Sequence, residues 1–236
     1  MKEQLQKDFD NSIKNLSLSQ KDIEIKKFCL DNFIDKGFPN RKEEDWKFSD
    51  LNQIIKNNIG ELSFYNDQTS TNKVDTSVFV DGLEHNKIVF INGRIEKIDF
   101  EYEKKDQIEI IDQSETINEF KNSNSLSDLN NAFTNKCFKI LVKKGYQLVK
   151  PLIIYHTTNS KIWSKNINLR LNFELDKDSS LRLIDLFNDT SEKNFLNIFY
   201  NFELKENAVL KNYKVDKFEN KNIKYSFNNI DQDKNS

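Results

Sequence analysis

A block of six residues recurs down the second half of the chain. Ile140-Leu141-Val142-Lys143-Lys144-Gly145 is followed by Phe173-Glu174-Leu175-Asp176-Lys177-Asp178 and by Phe202-Glu203-Leu204-Lys205-Glu206-Asn207. A weaker fourth copy is Ile230-Asp231-Gln232-Asp233-Lys234-Asn235. Each full copy reads apolar, variable, apolar, then two charged residues, then Gly, Asp or Asn. The copies start at 140, 173, 202 and 230, intervals of 33, 29 and 28 residues. In the first three a leucine (Leu148, Leu181, Leu210) follows three positions after the block. Self-similarity at such a period marks a stacked repeat architecture.

The repeated unit reads as a strand, a turn and a second strand. Ile167, Leu169, Leu171, Phe173 and Leu175 alternate with polar residues, as do Ile198, Tyr200, Phe202 and Leu204. Strict alternation buries one side of a strand and wets the other. The charged pair and its Gly, Asp or Asn then turn the chain, because those residues tolerate positive φ at least cost. Leu181 and Leu183 in one copy, and Val209 and Leu210 in the next, start the second strand. One coil per ~30 residues without a helical period predicts rungs of a β-helix. The competing reading is an antiparallel meander whose spacing recurs by chance. Gln232 takes the place held by Val142, Leu175 and Leu204, so the fourth rung is expected to pack weakly. The chain is expected to be truncated there, with an open edge prone to fraying or self-association.

Composition narrows the class. At 236 residues there is room for one large domain or two modest ones. Apolar residues make up 36% and charged residues 31%, but the apolar ones are periodic, so the chain reads as folded. Only 5 Gly and 2 Pro argue against a collagen-like or disordered chain. A net charge of −2 gives no electrostatic case for nucleic acid or an anionic membrane. No apolar run approaches the ~20 residues that span a bilayer, and no signal-peptide core is visible at the N-terminus. Cys29 and Cys137 are far apart in sequence, which implies no disulfide framework. A cytoplasmic location is expected.

The first 60 residues read as helical. Leu5, Phe9, Ile13 and Leu16 share a helical face. Ser19 with Asp22 caps a second helix carrying Ile23, Phe28, Leu30, Phe33 and Ile34, which Gly37 stops. A third starts near Asp50, aligns Leu51, Ile54, Ile55 and Ile59, and stops at Gly60. Between them, Asn40 and Glu43 cap a short turn whose core anchors are expected to be Trp46 and Phe48. Residues 61–76 read as a polar linker, and Ile88 to Ile98 as a hairpin around Asn92-Gly93. Ile108, Ile110 and Ile111 predict another strand, and residues 112–128 a loop with a short helix.

The segment Gly37-Phe38-Pro39-Asn40-Arg41-Lys42-Glu43-Glu44-Asp45-Trp46-Lys47-Phe48-Ser49-Asp50-Leu51 closely resembles a signature near the start of the SufD family of iron–sulfur cluster assembly proteins. Phe38, Asn40, Phe48 and Ser49 stand where Leu, Thr, Tyr and Thr are commoner. Val89-Phe90-Ile91-Asn92-Gly93-Arg94, Leu129-Asn130-Asn131-Ala132-Phe133 and the stretch from Lys143-Lys144-Gly145 to Lys150-Pro151-Leu152 also resemble family segments, in the same order. The agreement runs from about residue 30 to residue 215. The sister family SufB shares the later repeats but differs over residues 37–51. The resemblance implies a right-handed parallel β-helix, pairing with a SufB-like protein, and ATP hydrolysis supplied by a SufC-like subunit. It places the family's functional Cys and His, and its SufC-binding helices, in regions beyond Ser236, so none is carried over.

The residues themselves offer little chemistry. His85, after Gly82-Leu83-Glu84 in an expected loop, reads as a solvated surface histidine, and His156 as a strand-end histidine with a backbone partner. Cys29 and Cys137 read as small buried hydrophobes. No phosphate loop, nucleophile elbow or metalloprotease motif occurs. No catalytic, cofactor-binding or metal residue is therefore assigned, and no cofactor is expected on this segment alone; the iron–sulfur cluster belongs to the full complex. The expected fold is mainly β with an N-terminal helical region. It divides into a helical region 1–60, a mixed α/β connecting segment 61–130 and the first coils of a SufB/SufD-type β-helix, 131–236. The expected function is a non-enzymatic SufD-like scaffold. The alternative is a β-helix protein that binds or cleaves polysaccharide, against which the missing signal peptide counts.

Overall fold

Each recurring block closes one strand and turns the chain out of it. The computed structural model describes residues 2–14, 16, 18–64, 73–113, 124–134, 136–158, 162–189, 193–217 and 222–236. Four strands run into the blocks: β5 (Cys137–Val142), β7 (Lys165–Leu175), β9 (Phe195–Leu204) and β11 (Ile223–Gln232). They pair in parallel, with Ile140 opposite Phe173, Phe173 opposite Phe202 and Phe202 opposite Ile230. The sequence intervals are thus the strand register. The last block residues Gly145, Asp178, Asn207 and Asn235 have φ of 72°, 59°, 58° and 61°. That left-handed backbone aims the amide at the following turn: Gly145 N–H donates to Lys177 O at 2.8 Å, Asp178 to Glu206 O at 3.0 Å and Asn207 to Lys234 O at 3.2 Å. Gly, Asp and Asn reach this conformation at least cost.

The strands leaving the turns, β6 (Leu152–Thr158), β8 (Ser180–Asp189) and β10 (Val209–Lys217), form the parallel part of a second sheet. Leu210 opposes Leu181, as the repeat predicts, and Leu152 opposes Leu183. The first coil has two extra residues between Leu148 and its strand, around Pro151. Glu103 secures this insertion. Its carboxylate accepts from Tyr146 Oη (2.7 Å), Asn86 Nδ2 (2.6 Å) and the amides of Val149 and Lys150 (both 3.1 Å). Burial pushes its carboxyl up, but these donors outweigh burial and hold it below the usual range.

The segment between the helices and the coils supplies further strands to both sheets. The hairpin β2 (Asn86–Ile91) and β3 (Arg94–Asp99) turns at Asn92-Gly93, with φ of 52° and 79°. A Cβ on Gly93 would also lie 2.8 Å from Ile167 Cγ2, so the turn needs glycine on two counts. β2 pairs in parallel with β6. On the first sheet, β4 (Ile108–Asp112) pairs antiparallel with β5, and β1 (Ser63–Phe64) in parallel with β7. The fold is mixed α/β, and both sheets are open.

Inward side chains of the two sheets make one core, including Ile140, Phe173 and Phe202 from the first sheet and Leu152, Leu183 and Phe187 from the second. The helices α1 (Lys2–Ile13), α2 (Gln20–Lys36), α3 (Leu51–Asn58) and α4 (Ser125–Phe133) pack their apolar sides around Phe195, on the outer face of the first sheet. Ser19 and Asp50 cap α2 and α3 through the amides of Asp22 and Gln53, and Gly37 ends α2 at φ 72°. All nine residues of α4 are buried. Lys26 Nζ, from α2, donates to the carbonyls of Asn131 (2.9 Å), Ala132 (3.4 Å) and Thr134 (2.7 Å) at its end.

Phe28, expected on the second helix's apolar side, and the expected anchor Phe48 both lie at the surface. Phe28 is 65% exposed, because the buried face of α2 is Lys26, Cys29, Leu30 and Phe33 at helical spacing. Phe48 is 90% exposed. It follows a 3₁₀ turn, Glu44–Trp46, whose three-residue period sends positions 46 and 48 in different directions. Phe38 anchors this segment instead, edge-on to Phe33 at 5.1 Å and Phe195 at 5.9 Å, while Trp46 lies 5.9 Å from Tyr225. Of the expected linker 61–76, residues 65–72 lie outside the described residues, and Ser63–Phe64 is strand. Of the expected loop 112–128, residues 114–123 lie outside them, and α4 starts at Ser125. No helix among the described residues is long and apolar enough to cross a membrane.

Candidate functional site

The positions facing between the sheets are apolar in the middle coils and polar in the coil of β10 and β11, where Lys214, Asp216 and Asn228 are exposed. Register places Asn212 beside Leu183, Lys214 beside Asp185 and Asp216 beside Phe187. On the facing sheet Lys224 follows Leu196, Ser226 follows Ile198 and Asn228 follows Tyr200. Asp185 also breaks the inward apolar series Leu181, Leu183, Phe187 on β8.

These residues meet His156 of β6. Its Nε2 lies 2.9 Å from Asp185 Oδ1 and 3.0 Å from Tyr200 Oη. Phe90 stacks on the imidazole at 5.3 Å. Lys224 Nζ reaches Asp185 Oδ2 at 3.7 Å and Asp216 Oδ1 at 2.6 Å. Lys214 Nζ sits 4.6 Å over the Tyr200 ring, donates to Asn228 Oδ1 at 3.0 Å and touches Ser226 Oγ. Burial pushes the Asp185 carboxyl up, but His156, Lys224 and Tyr200 outweigh it and hold it far below the usual carboxylate range. Burial, then the Asp185 charge, lifts the Tyr200 phenol well above its ordinary value. Burial lowers the Lys214 ammonium.

A carboxylate, an imidazole and a phenol in contact are a proton-handling set by type. Here His156 is 3% exposed and Asp185 and Tyr200 are 0% exposed, so other side chains enclose all three. The cluster acts as an ionic tie across strands of both sheets. This corrects the strand-end reading of His156: its partners are side chains 29 and 44 residues away in sequence, brought together by stacking.

His85 is likewise buried rather than solvated, at 3% exposure. Nδ1–H donates to Leu83 O at 2.6 Å, and Nε2 accepts from Tyr155 Oη at 2.7 Å. Tyr155 Oη in turn accepts the Val80 amide at 3.0 Å. Burial lowers the His85 imidazole, which matches the neutral tautomer these partners require. The signal in sequence was weak, because nothing local marks Tyr155 as its neighbour.

Both cysteines are free and buried. Burial raises Cys29 to about 11 and also raises Cys137, so both remain protonated thiols of low reactivity. Asn172 Nδ2 lies 3.3 Å from Cys137 Sγ. No group of three or more His, Cys, Asp or Glu able to hold a metal occurs among the described residues. A groove of about 580 Å³ runs between α1, α3 and β1, lined mainly by Leu5, Phe33, Phe38, Ile55, Leu62 and Phe64. No family model and no curated protein matches the chain.

Proposed function

We propose that the two sheets are facing walls of a right-handed parallel β-helix, and that the protein is a SufD-like scaffold of iron–sulfur cluster assembly. On this reading it performs no catalysis itself, works in the cytoplasm, and pairs with a SufB-like subunit and a SufC-like ATPase. The cluster is cargo of the whole complex rather than a resident group of this chain. The observation that carries the reading is the agreement between sequence interval and strand register: copies at 140, 173, 202 and 230 lie side by side in one parallel sheet. The segment resembling the SufD signature supports it too, since Phe38 and Trp46 seat that segment against Phe195 and Tyr225 of the same sheet. The burial of His156, Asp185 and Tyr200 among one another's side chains supports a structural role over turnover.

Co-expression of the complete gene product with SufB-like and SufC-like proteins, followed by affinity capture, tests this. Recovery of both partners is expected. Capture of neither overturns the assignment, and retention on oligosaccharide resin instead would favour a polysaccharide-binding protein.

A further inference from the structure

The outer face of the second sheet carries two rows that cross four strands and are apolar at every position but one. Register aligns Val89, Tyr155, Leu186 and Val215 in one, and Lys87, Ile153, Ile184 and Tyr213 in the other. One half of this face is covered. Val74, Val78, Phe79 and Val80 pack on Val89, Ile91, Ile153, Tyr155 and Leu186. The Phe79 ring lies 4.9 Å from Tyr155. Glu84, at the end of the same segment, pairs with Lys150 at 2.7 Å. The covering strap, 73–84, thus combines Val and Phe side chains with Asp75, Asp81 and Glu84.

The other half of the face is open. Tyr213 is 56% and Val215 42% exposed, beside the half-buried Ile184. Exposed cations border it on both sides: Arg182 and Lys211 are paired in one flanking row, and Lys217 stands in the other. Apolar rows with a basic border fit a ligand that is apolar along its middle and negative at its ends. The strap covers the adjoining half of the same rows with Val and Phe side chains, and Glu84 at its end pairs with a lysine, Lys150.

We propose that the β8–β10 outer face is a docking surface for an extended, acidic, Val- and Phe-bearing segment of a partner protein. The strap of this chain is committed to its own seat, which leaves the open half to a segment supplied from outside. This inference rests on the sheet face alone and stands apart from the scaffold assignment.

The probe is a fluorescent synthetic peptide of residues 73–84, titrated with the whole protein and read by anisotropy. Binding is expected, weakened about tenfold or more when the peptide carries Asp75→Lys, Asp81→Lys and Glu84→Lys. Tyr213→Lys with Val215→Lys in the protein should weaken it as much, with circular dichroism unchanged. Arg182→Glu with Lys211→Glu should invert the preference between the two peptides, which a folding defect would not do. No binding, or binding indifferent to Tyr213→Lys, overturns the proposal. So does binding that only strengthens when Tyr155→Phe loosens the resident strap, because the peptide would then occupy the strap's seat. Self-association seen by light scattering in the protein alone, and abolished by Tyr213→Lys, overturns it as well.

Discussion

Phe202 is fully buried, stacked 5.0 Å from Phe173 and opposite Ile230 in the next strand. Glu203, one residue on, faces out and pairs with Lys205 beside the turn. Phe202→Ala should cost about 3–5 kcal/mol through the cavity it leaves, and Glu203→Ala about 0.5 kcal/mol or less. Denaturant titration of both variants checks this, and equal losses would contradict the strand faces. Such single-residue assignments were legible because alternation is local. The turn residues were legible for the same reason: Gly145, Asp178 and Asn207 carry the positive φ that their side chains tolerate. His85, His156 and Asp185 were not, since a buried polar residue takes its meaning from a partner in another coil. Phe48 misled because aromatic character says nothing about the direction of a short 3₁₀ turn.

Among the elements, α4 depends most on its neighbours. Its N-terminus carries a reciprocal cap between Asn124 and Ser127, while its other end hands three carbonyls to Lys26. Burial, followed by the nearby Arg170 charge, draws the Lys26 ammonium down to about 7. A free lysine titrates near 10.4. Between those values the unfolded chain holds more protons than the folded one, so stability rises with pH over that window. The three carbonyls favour the ammonium and oppose this, so roughly 2–4 kcal/mol is expected between pH 7 and 10. Lys26→Met should flatten the rise in guanidinium titrations at the two pH values. An identical slope in both proteins would place the effect elsewhere. Helix ends themselves were readable from Ser19, Asp50 and Gly37, whereas α4 was half hidden because its buried Ser and Asn residues mimic a loop.

At the scale of the whole molecule, the repeat interval was the strongest guide, since it reappears unchanged as strand register. The four layers were less apparent: helices, first sheet, second sheet and strap. Which outer face a helix or strap covers depends on the twist and order of two sheets, and no local pattern encodes that. The stacking also ranks the strands. β7 has β5 and β9 as neighbours, whereas among the described residues β11 pairs with β9 alone. Hydrogen exchange should therefore leave the amides of 223–232 far less protected than those of 167–175. Equal protection would mean that coils open together rather than in sequence.

The change of the inward-facing positions from phenylalanine and leucine to lysine, aspartate and asparagine also gives the stack a mechanical direction. Under tension from its polar end, the first coil to peel would expose ion pairs that water readily replaces. Each later coil would have to surrender aromatic contacts that water does not replace. Resistance would grow as peeling advanced, whereas a pull from the opposite end would meet the stiff part first. The same coils would thus yield softly from one side and abruptly from the other.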